Sequence, residues 1–220
     1  MFANLRSANS KSGSQEDLEL NFTSLICSRL CHDLVGPVGA ISNGIELMEM
    51  EDDLSQAEDA LDLLRHSADN AARRLKFLRL AFGSSGGDDM PLPMADAQKA
   101  AFDFFEDHRL DLVWPSSLEG AVSKNRIRLG LNLMMAGAAG LMRGGDLAVN
   151  LTTTELKVTG THERAGLSEQ VVDALTGASQ AQTGEDARII ECFLAQKLAS
   201  AEGLTVHVEQ GAGRFLISAG

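Results

Sequence analysis

Apolar residues recur in steps of three and four along two consecutive stretches of the chain. Phe22, Ile26, Leu30, Leu34, Val38, Ile41, Ile45 and Met48 form one stripe between Leu18 and about Met50, and Leu54, Ala57, Leu61, Leu64, Ala68, Ala71, Leu75, Leu78 and Phe82 form a second. That spacing keeps side chains on one face of an α-helix, so each stretch predicts one long amphipathic helix. The segment "EMEDDLS" between them is short and acidic. Connections of that length make neighbouring helices antiparallel, so residues 18–83 read as a helical hairpin with arms of roughly 45 Å at ~1.5 Å per residue. Two helices facing one another leave Leu25, Leu47, Leu63 and Leu80 without cover. A second identical hairpin would supply it as a four-helix bundle, which predicts a homodimer.

The pattern changes after a glycine-rich linker at residues 84–93, part of "GSSGGDDMPLP". From Met94 the chain reads as helix, strand (Leu110 to Trp114), helix (Lys124 to Met142), two strands (Leu147 to Thr152, Glu155 to Thr161), two helices and two closing strands (Leu204 to Glu209, Arg214 to Ser218). Helices alternating with strand pairs predict a second, α+β domain over residues 94–220. Residues 1–17 are Ser-rich and polar, and are expected to form a flexible tail.

Composition narrows the function classes. A formal net charge of -12 on 220 residues sets the field of the whole chain against nucleic acid and against anionic membranes, and favours a protein partner with a basic patch. No apolar run reaches the roughly 18 residues needed to span a bilayer, and the expected compartment is the cytoplasm. Cys27, Cys31 and Cys192 lack the spacing of a disulfide framework, so reduced, buried thiols are expected. Cys27, Cys31 and His32 share a helix face, but no second His or Cys group completes a tetrahedral metal set.

The stretch "LCHDLVGPVGAI" (30–41) places a histidine, a proline and two glycines inside the first helix. At ~100° per residue, Leu30, Val38, Ile41, Ile45 and Met48 fall within about 40° of Leu34, whereas His32 falls about 160° away. A core role is thereby excluded, leaving surface decoration or exposed reactivity. Leu25, Ser28, Arg29, Gly36, Gly39 and Asn43 share the His32 face. Glycine in a helix interior costs roughly 0.5–1 kcal/mol against alanine, so close approach of another surface is the expected reason for Gly36 and Gly39. Pro37 frees the carbonyl of Asp33, and because the apolar stripe keeps phase through Met48 the reading is a kinked helix rather than a helix end. Asp33 can hold the imidazole in one tautomer and leave the other nitrogen nucleophilic. Counting back through a turn near residue 52 brings Arg73 and Arg74 to about the level of His32; they would screen a phosphoryl oxygen or balance the acidic loop as solvated charges.

The string His32-Asp33-Leu34-Val35-Gly36-Pro37 resembles the H-[DE]-x-x-[TN]-P phosphoacceptor motif of histidine kinases, early on the first helix of a dimerising hairpin. In that family the histidine becomes N-phosphohistidine, the proline kinks the helix, and Thr or Asn stands where this chain has Gly36. The order of elements after residue 94 resembles the ATP-binding domain of the same family, as an α/β sandwich. The nucleotide machinery departs from it. In Asn132-Leu133-Met134-Met135-Ala136-Gly137 an alanine stands where the family has a magnesium-binding Asn. No D-x-G-x-G occurs, and "TGASQAQTGEDARIIE" lacks a glycine-rich phosphate loop. Phosphoryl transfer depends on positioned ligands and metal, so ATP chemistry should be lost.

An intact acceptor beside a degenerate ATP domain resembles the dimeric histidine phosphotransferases of bacterial phosphorelays, in particular the ChpT type of the cell-cycle relay, over about residues 18–220. The resemblance implies that His32 takes a phosphoryl group from the receiver-domain aspartate of a hybrid histidine kinase and passes it to response-regulator receivers. The chain would need no cofactor of its own, magnesium being supplied by the partner receiver. Two alternatives stand beside this: an ATP-dependent histidine kinase with a divergent nucleotide site, and a non-enzymatic dimeric adaptor.

Overall fold

The structure, a computed structural model, describes residues 4–50, 54–83, 92–115, 122–181 and 184–220. Two long helices come first, α1 (Asn4–Met50) and α2 (Leu54–Phe82), and pack side by side as the stripes predict. The helix α1 runs unbroken past Pro37. Its backbone begins at Asn4, ahead of the expected boundary at Leu18. The added segment holds no proline, and lengthening a helix already held by packing costs far less than nucleating one. The expected turn at 51–53 and most of the expected linker, residues 84–91, lie outside the described residues, as do residues 1–3.

Next come α3 (Met94–Phe105), β1 (Leu110–Val113), α4 (Lys124–Ala139), β2 (Gly145–Leu151), β3 (Leu156–Thr161), α5 (Glu169–Thr176), a 3₁₀ turn (Gly184–Ile189), α6 (Ile190–Ala201), β4 (Val206–Gly211) and β5 (Arg214–Ala219). The five strands form one sheet in the order β1-β2-β3-β5-β4, parallel between β1 and β2 and antiparallel elsewhere. Alternation explains its two faces: Leu147, Val149 and Leu151 of β2, Leu156 and Val158 of β3, and Phe215 and Ile217 of β5 are buried against the helices, while the intervening residues point away. Gly160 of β3 is required there, because a Cβ would stand 2.1 Å from the Phe215 ring. The result is the expected α+β architecture.

The helix α4 is buried on nearly every side, packed by α6, by β2 and β3, and by the end of α2. Its Asn132 amide donates to the Ala81 carbonyl at 2.9 Å, and Arg128 reaches the Phe82 carbonyl at 3.4 Å. The last carbonyls of a helix have no partner within it, so these two side chains cap α2 and tie the hairpin to the sheet domain. Phe77 of α2 stacks on Phe104 of α3 with centroids 4.1 Å apart and meets Phe105 edge-on at 5.8 Å, which fixes the same junction from its other side.

The first half of α1 lies on the sheet domain. Leu25 is buried in the common core, and Phe22, Ile26, Leu30 and, from α2, Leu80 pack against it. Leu25 and Leu80 were expected to stay uncovered on the hairpin; instead the 3₁₀ turn and α6 of the same chain pack on α1 at that end, and α3 and α4 pack on α2. Farther along the hairpin, Val38, Ile45, Leu47, Met48, Leu61 and Leu63 remain exposed, as does Leu75 of α2 nearer the sheet domain.

Candidate functional site

His32 stands on α1 with its side chain 75% exposed, while the neighbouring Asp33 carboxylate is only 9% exposed. The Nδ1 atom lies 3.1 Å from Asp33 Oδ1. A carboxylate can only accept, so this contact assigns the proton to Nδ1 and leaves the lone pair of Nε2 free. The other oxygen of Asp33 accepts from Arg29 Nε at 2.9 Å, one helical turn earlier. Both oxygens of the carboxylate are therefore engaged, one by the His32 imidazole and one by the Arg29 guanidinium.

Arg29 reaches beyond its own helix. Its Nη1 atom is 3.3 Å from Glu191 Oε2 on α6 and donates to the Arg188 carbonyl. Burial alone would lower the guanidinium pKa, but the Glu191 and Asp33 carboxylates outweigh it and hold the group above its ordinary value. Glu191 shows the opposite balance. Burial pushes its carboxyl up to about 7, with Arg29 and its own backbone N–H pulling it down and Asp33 pushing it further up.

Of the predicted docking face, Ser28, Gly36, Gly39 and Asn43 are exposed around His32. A Cβ on Gly36 or Gly39 would meet nothing within 4 Å, so no contact inside this chain requires either glycine. Two members of the predicted face are placed differently. Leu25 is buried at 4% exposure, because the sheet domain packs over that end of α1, and Arg29 is bound to three acceptors rather than free for a partner. Sequence reasoning missed Val35, which stands 72% exposed one turn from His32 and adds an apolar patch to the face.

The two arginines of α2 have partners of their own. Arg73 pairs with Glu106 at 3.0 Å and Asp107 at 2.7 Å, and Arg74 donates to Asn70 at 2.7 Å and lies over the Phe104 ring at 5.8 Å. Both brace α2 against the end of α3. Asp33 and Arg74 nonetheless act on one group, His108, whose pKa is lowered first by burial and then by Arg74, against the Phe104 carbonyl, Asp107 and Asp33.

Cys27 and Cys31 are exposed free thiols, not the buried ones expected, because they sit on the solvent side of α1; Cys192 is buried. Among the described residues, no group of three or more His, Cys, Asp or Glu could hold a metal ion. Ala136 occupies the kinase metal-ligand position and is fully buried in α4, with an apolar side chain that cannot bind magnesium. The Asn132 amide nitrogen of the same string donates to the Ala81 and Arg128 carbonyls, and its Oδ1 is buried without a hydrogen-bond partner among the described residues. At position 136, then, the chain offers no ligand to the metal of a magnesium–nucleotide complex.

Residues 94–214 match the family described as histidine phosphotransferase C-terminal domain. The protein phosphotransferase ChpT of Brucella abortus (strain 2308) is 33% identical over 207 residues, which is 91% of this chain and 95% of its own length. The solved structure of a bacterial phosphotransferase is 30% identical and superposes with a TM-score of 0.78, covering 91% of this chain and 96% of that one.

Proposed function

The chain belongs to the histidine phosphotransferase family, and on that premise we propose that His32 carries a phosphoryl group between the receiver-domain aspartate of a hybrid histidine kinase and the receivers of response regulators. The observation that carries this reading is the exposed imidazole whose Nδ1 is tied to the shielded Asp33, leaving Nε2 open to a docking protein.

The Nε2 lone pair attacks the phosphorus of an aspartyl phosphate in line. The N–P bond forms as the P–O bond to the receiver breaks, and the electron pair leaves with the receiver's carboxylate. The ring keeps its proton on Nδ1 and gains positive charge as the new bond forms. Asp33 Oδ1 stabilises that charge through the existing hydrogen bond. The second receiver's carboxylate reverses the step, so one nitrogen serves both directions.

The receiver docks on the face of Ser28, Val35, Gly36, Gly39 and Asn43 and brings its own magnesium. The net charge of -12 steers basic rims toward the chain. The burial of Ala136 supports a carrier that takes no phosphate from ATP. The exposed Val38, Ile45, Leu61 and Leu75 support a homodimer through the hairpin. Among the described residues, no helix is long and apolar enough to cross a membrane; the cytoplasm is the compartment we propose, because receiver domains of response regulators would meet the chain there.

The test is incubation with a purified receiver domain bearing ³²P on its aspartate. Acid-labile, base-stable label should pass to the wild-type chain and not to His32→Ala. Equal labelling of the variant would make His32 incidental. A calorimetric titration with Mg-ATP should show no binding, and clear binding heat would favour a kinase.

A further inference from the structure

The Arg29 guanidinium lies between two carboxylates from distant parts of the fold. Asp33, at 2.9 Å, belongs to the acceptor's own helix; Glu191, at 3.3 Å, belongs to α6 of the sheet domain. Glu191 is 2% exposed, and among the described residues no hydrogen-bond donor satisfies its Oε2, which lies in an ion pair with Arg29. The charged groups facing it are Arg29 and Asp33 from α1 and the Cys192 thiol beside it on α6; the 3₁₀ turn contributes the Arg188 carbonyl, which also accepts from Arg29.

A carboxylate in such a place is poorly solvated. Its pKa of about 7, set first by burial, shows that the folded chain holds the ionised form at a disadvantage despite the adjacent guanidinium. A neutral side chain of the same shape would avoid that disadvantage. The charge is therefore not explained by stability, and the contact it makes leads through Arg29 to the group that sets the state of His32.

We propose that Glu191 is a positioning residue for phosphotransfer: from the sheet domain it anchors the Arg29 guanidinium, which holds the Asp33 carboxylate in register with Nδ1 of His32. The chain of contacts runs His32 Nδ1 to Asp33 Oδ1 at 3.1 Å, Asp33 Oδ2 to Arg29 Nε at 2.9 Å, and Arg29 Nη1 to Glu191 Oε2 at 3.3 Å. Arg29 can span both carboxylates because its nitrogens diverge in a rigid plane; an ammonium cannot. Without the outer anchor the guanidinium turns with Asp33, the Nδ1 proton loses its fixed acceptor, and Nε2 is less often the free nitrogen. The sheet domain thereby acts on the acceptor without supplying a nucleotide. This inference rests on His32 being the phosphoacceptor.

The test uses the full chain with the ³²P-labelled receiver domain, together with ¹⁵N shifts of the His32 ring, which report the tautomer, and thermal melts at pH 8. Glu191→Gln should take label roughly tenfold more slowly, the scale of one partly buried ion pair. Its His32 shifts should move toward a mixture of tautomers, while it melts no earlier than wild type. A residue that served folding alone would lose stability and leave the tautomer unmoved. If Glu191→Gln melts early, Arg29→Lys decides: it keeps the charge but cannot bridge both carboxylates, and should show the same slowing and the same tautomer shift. Labelling within twofold of wild type with unchanged His32 shifts, in the deciding variant, overturns the proposal. Failure of the wild-type chain to take label on His32 removes the underlying reading and this proposal with it, whereas normal wild-type labelling with an unaffected variant removes the proposal alone.

Discussion

Gly36 sits four residues after His32, in a helix interior where alanine would be favoured, and among the described residues nothing comes within 4 Å of the place its Cβ would take. Gly36→Ala should therefore stabilise the protein by about 0.5–1 kcal/mol in denaturant titrations. Gly36→Leu should fold as well as wild type but slow label transfer from a receiver at least tenfold, since the cost falls on the docking surface. Unchanged transfer by the leucine variant would remove the docking explanation for the glycine. Glu191 gives a pH effect with the opposite logic. Burial raises its pKa from an ordinary 4.5 to about 7, so between those values the folded chain holds a proton that the unfolded chain has released. Its contribution to stability is thus complete below about pH 4.5 and is lost as pH rises through about 7, a change on the order of 3 kcal/mol. Glu191→Gln should flatten that part of the stability-against-pH curve, and an unchanged slope would contradict the buried acid. His32, Asp33 and the open glycines were legible because a helix face is a local property. Glu191 was visible only as a lone charge in the apolar run Ile189-Ile190-Glu191-Cys192-Phe193, and no local signal ties it to Arg29.

At the scale of elements, α1 and α2 meet closely at Gly44, where a Cβ would lie 2.8 Å from Leu64 Cγ. Gly44→Ala must push the helices apart or force Leu64 off its rotamer, and should cost about 1–3 kcal/mol by chemical denaturation. Stability equal to wild type would mean that the hairpin relaxes freely there. The order of the strands and helices was readable from periods of two and three to four, and the strands deviate from the expected limits by only a few residues. Periodicity names the buried face of a helix without naming what covers it. That is why Leu25 was assigned to the open face and Leu80 to the dimer, when the sheet domain covers both. The same limit applies to Asn132: the sequence shows a changed nucleotide motif, and only the fold shows the side chain capping α2 at Ala81.

At the scale of the molecule, the outer half of the hairpin leaves Val38, Ile45 and Leu61 exposed, and Leu75 stands exposed on α2 nearer the sheet domain, with Val38 and Leu75 each 52% accessible. Such a stripe on helices already packed together fits burial against a second copy. Sedimentation should find a dimer at tens of micromolar, and the double variant Leu61→Asp with Leu75→Asp should sediment as a folded monomer. A wild-type monomer at that concentration would contradict the bundle. Two domains joined through α2, α3 and α4, and again through Arg29 and Glu191, fit the proposal of a carrier whose sheet domain supports the helix of His32 rather than feeding it. The most direct test of that account is ³¹P NMR of the ¹⁵N-labelled chain after incubation with either a phosphorylated receiver domain or Mg-ATP alone. The account predicts a phosphoramidate signal coupled to Nε2 of His32 with the receiver, and none with Mg-ATP. A phosphoramidate formed from Mg-ATP alone, or one that persists with the receiver in His32→Gln, would contradict it.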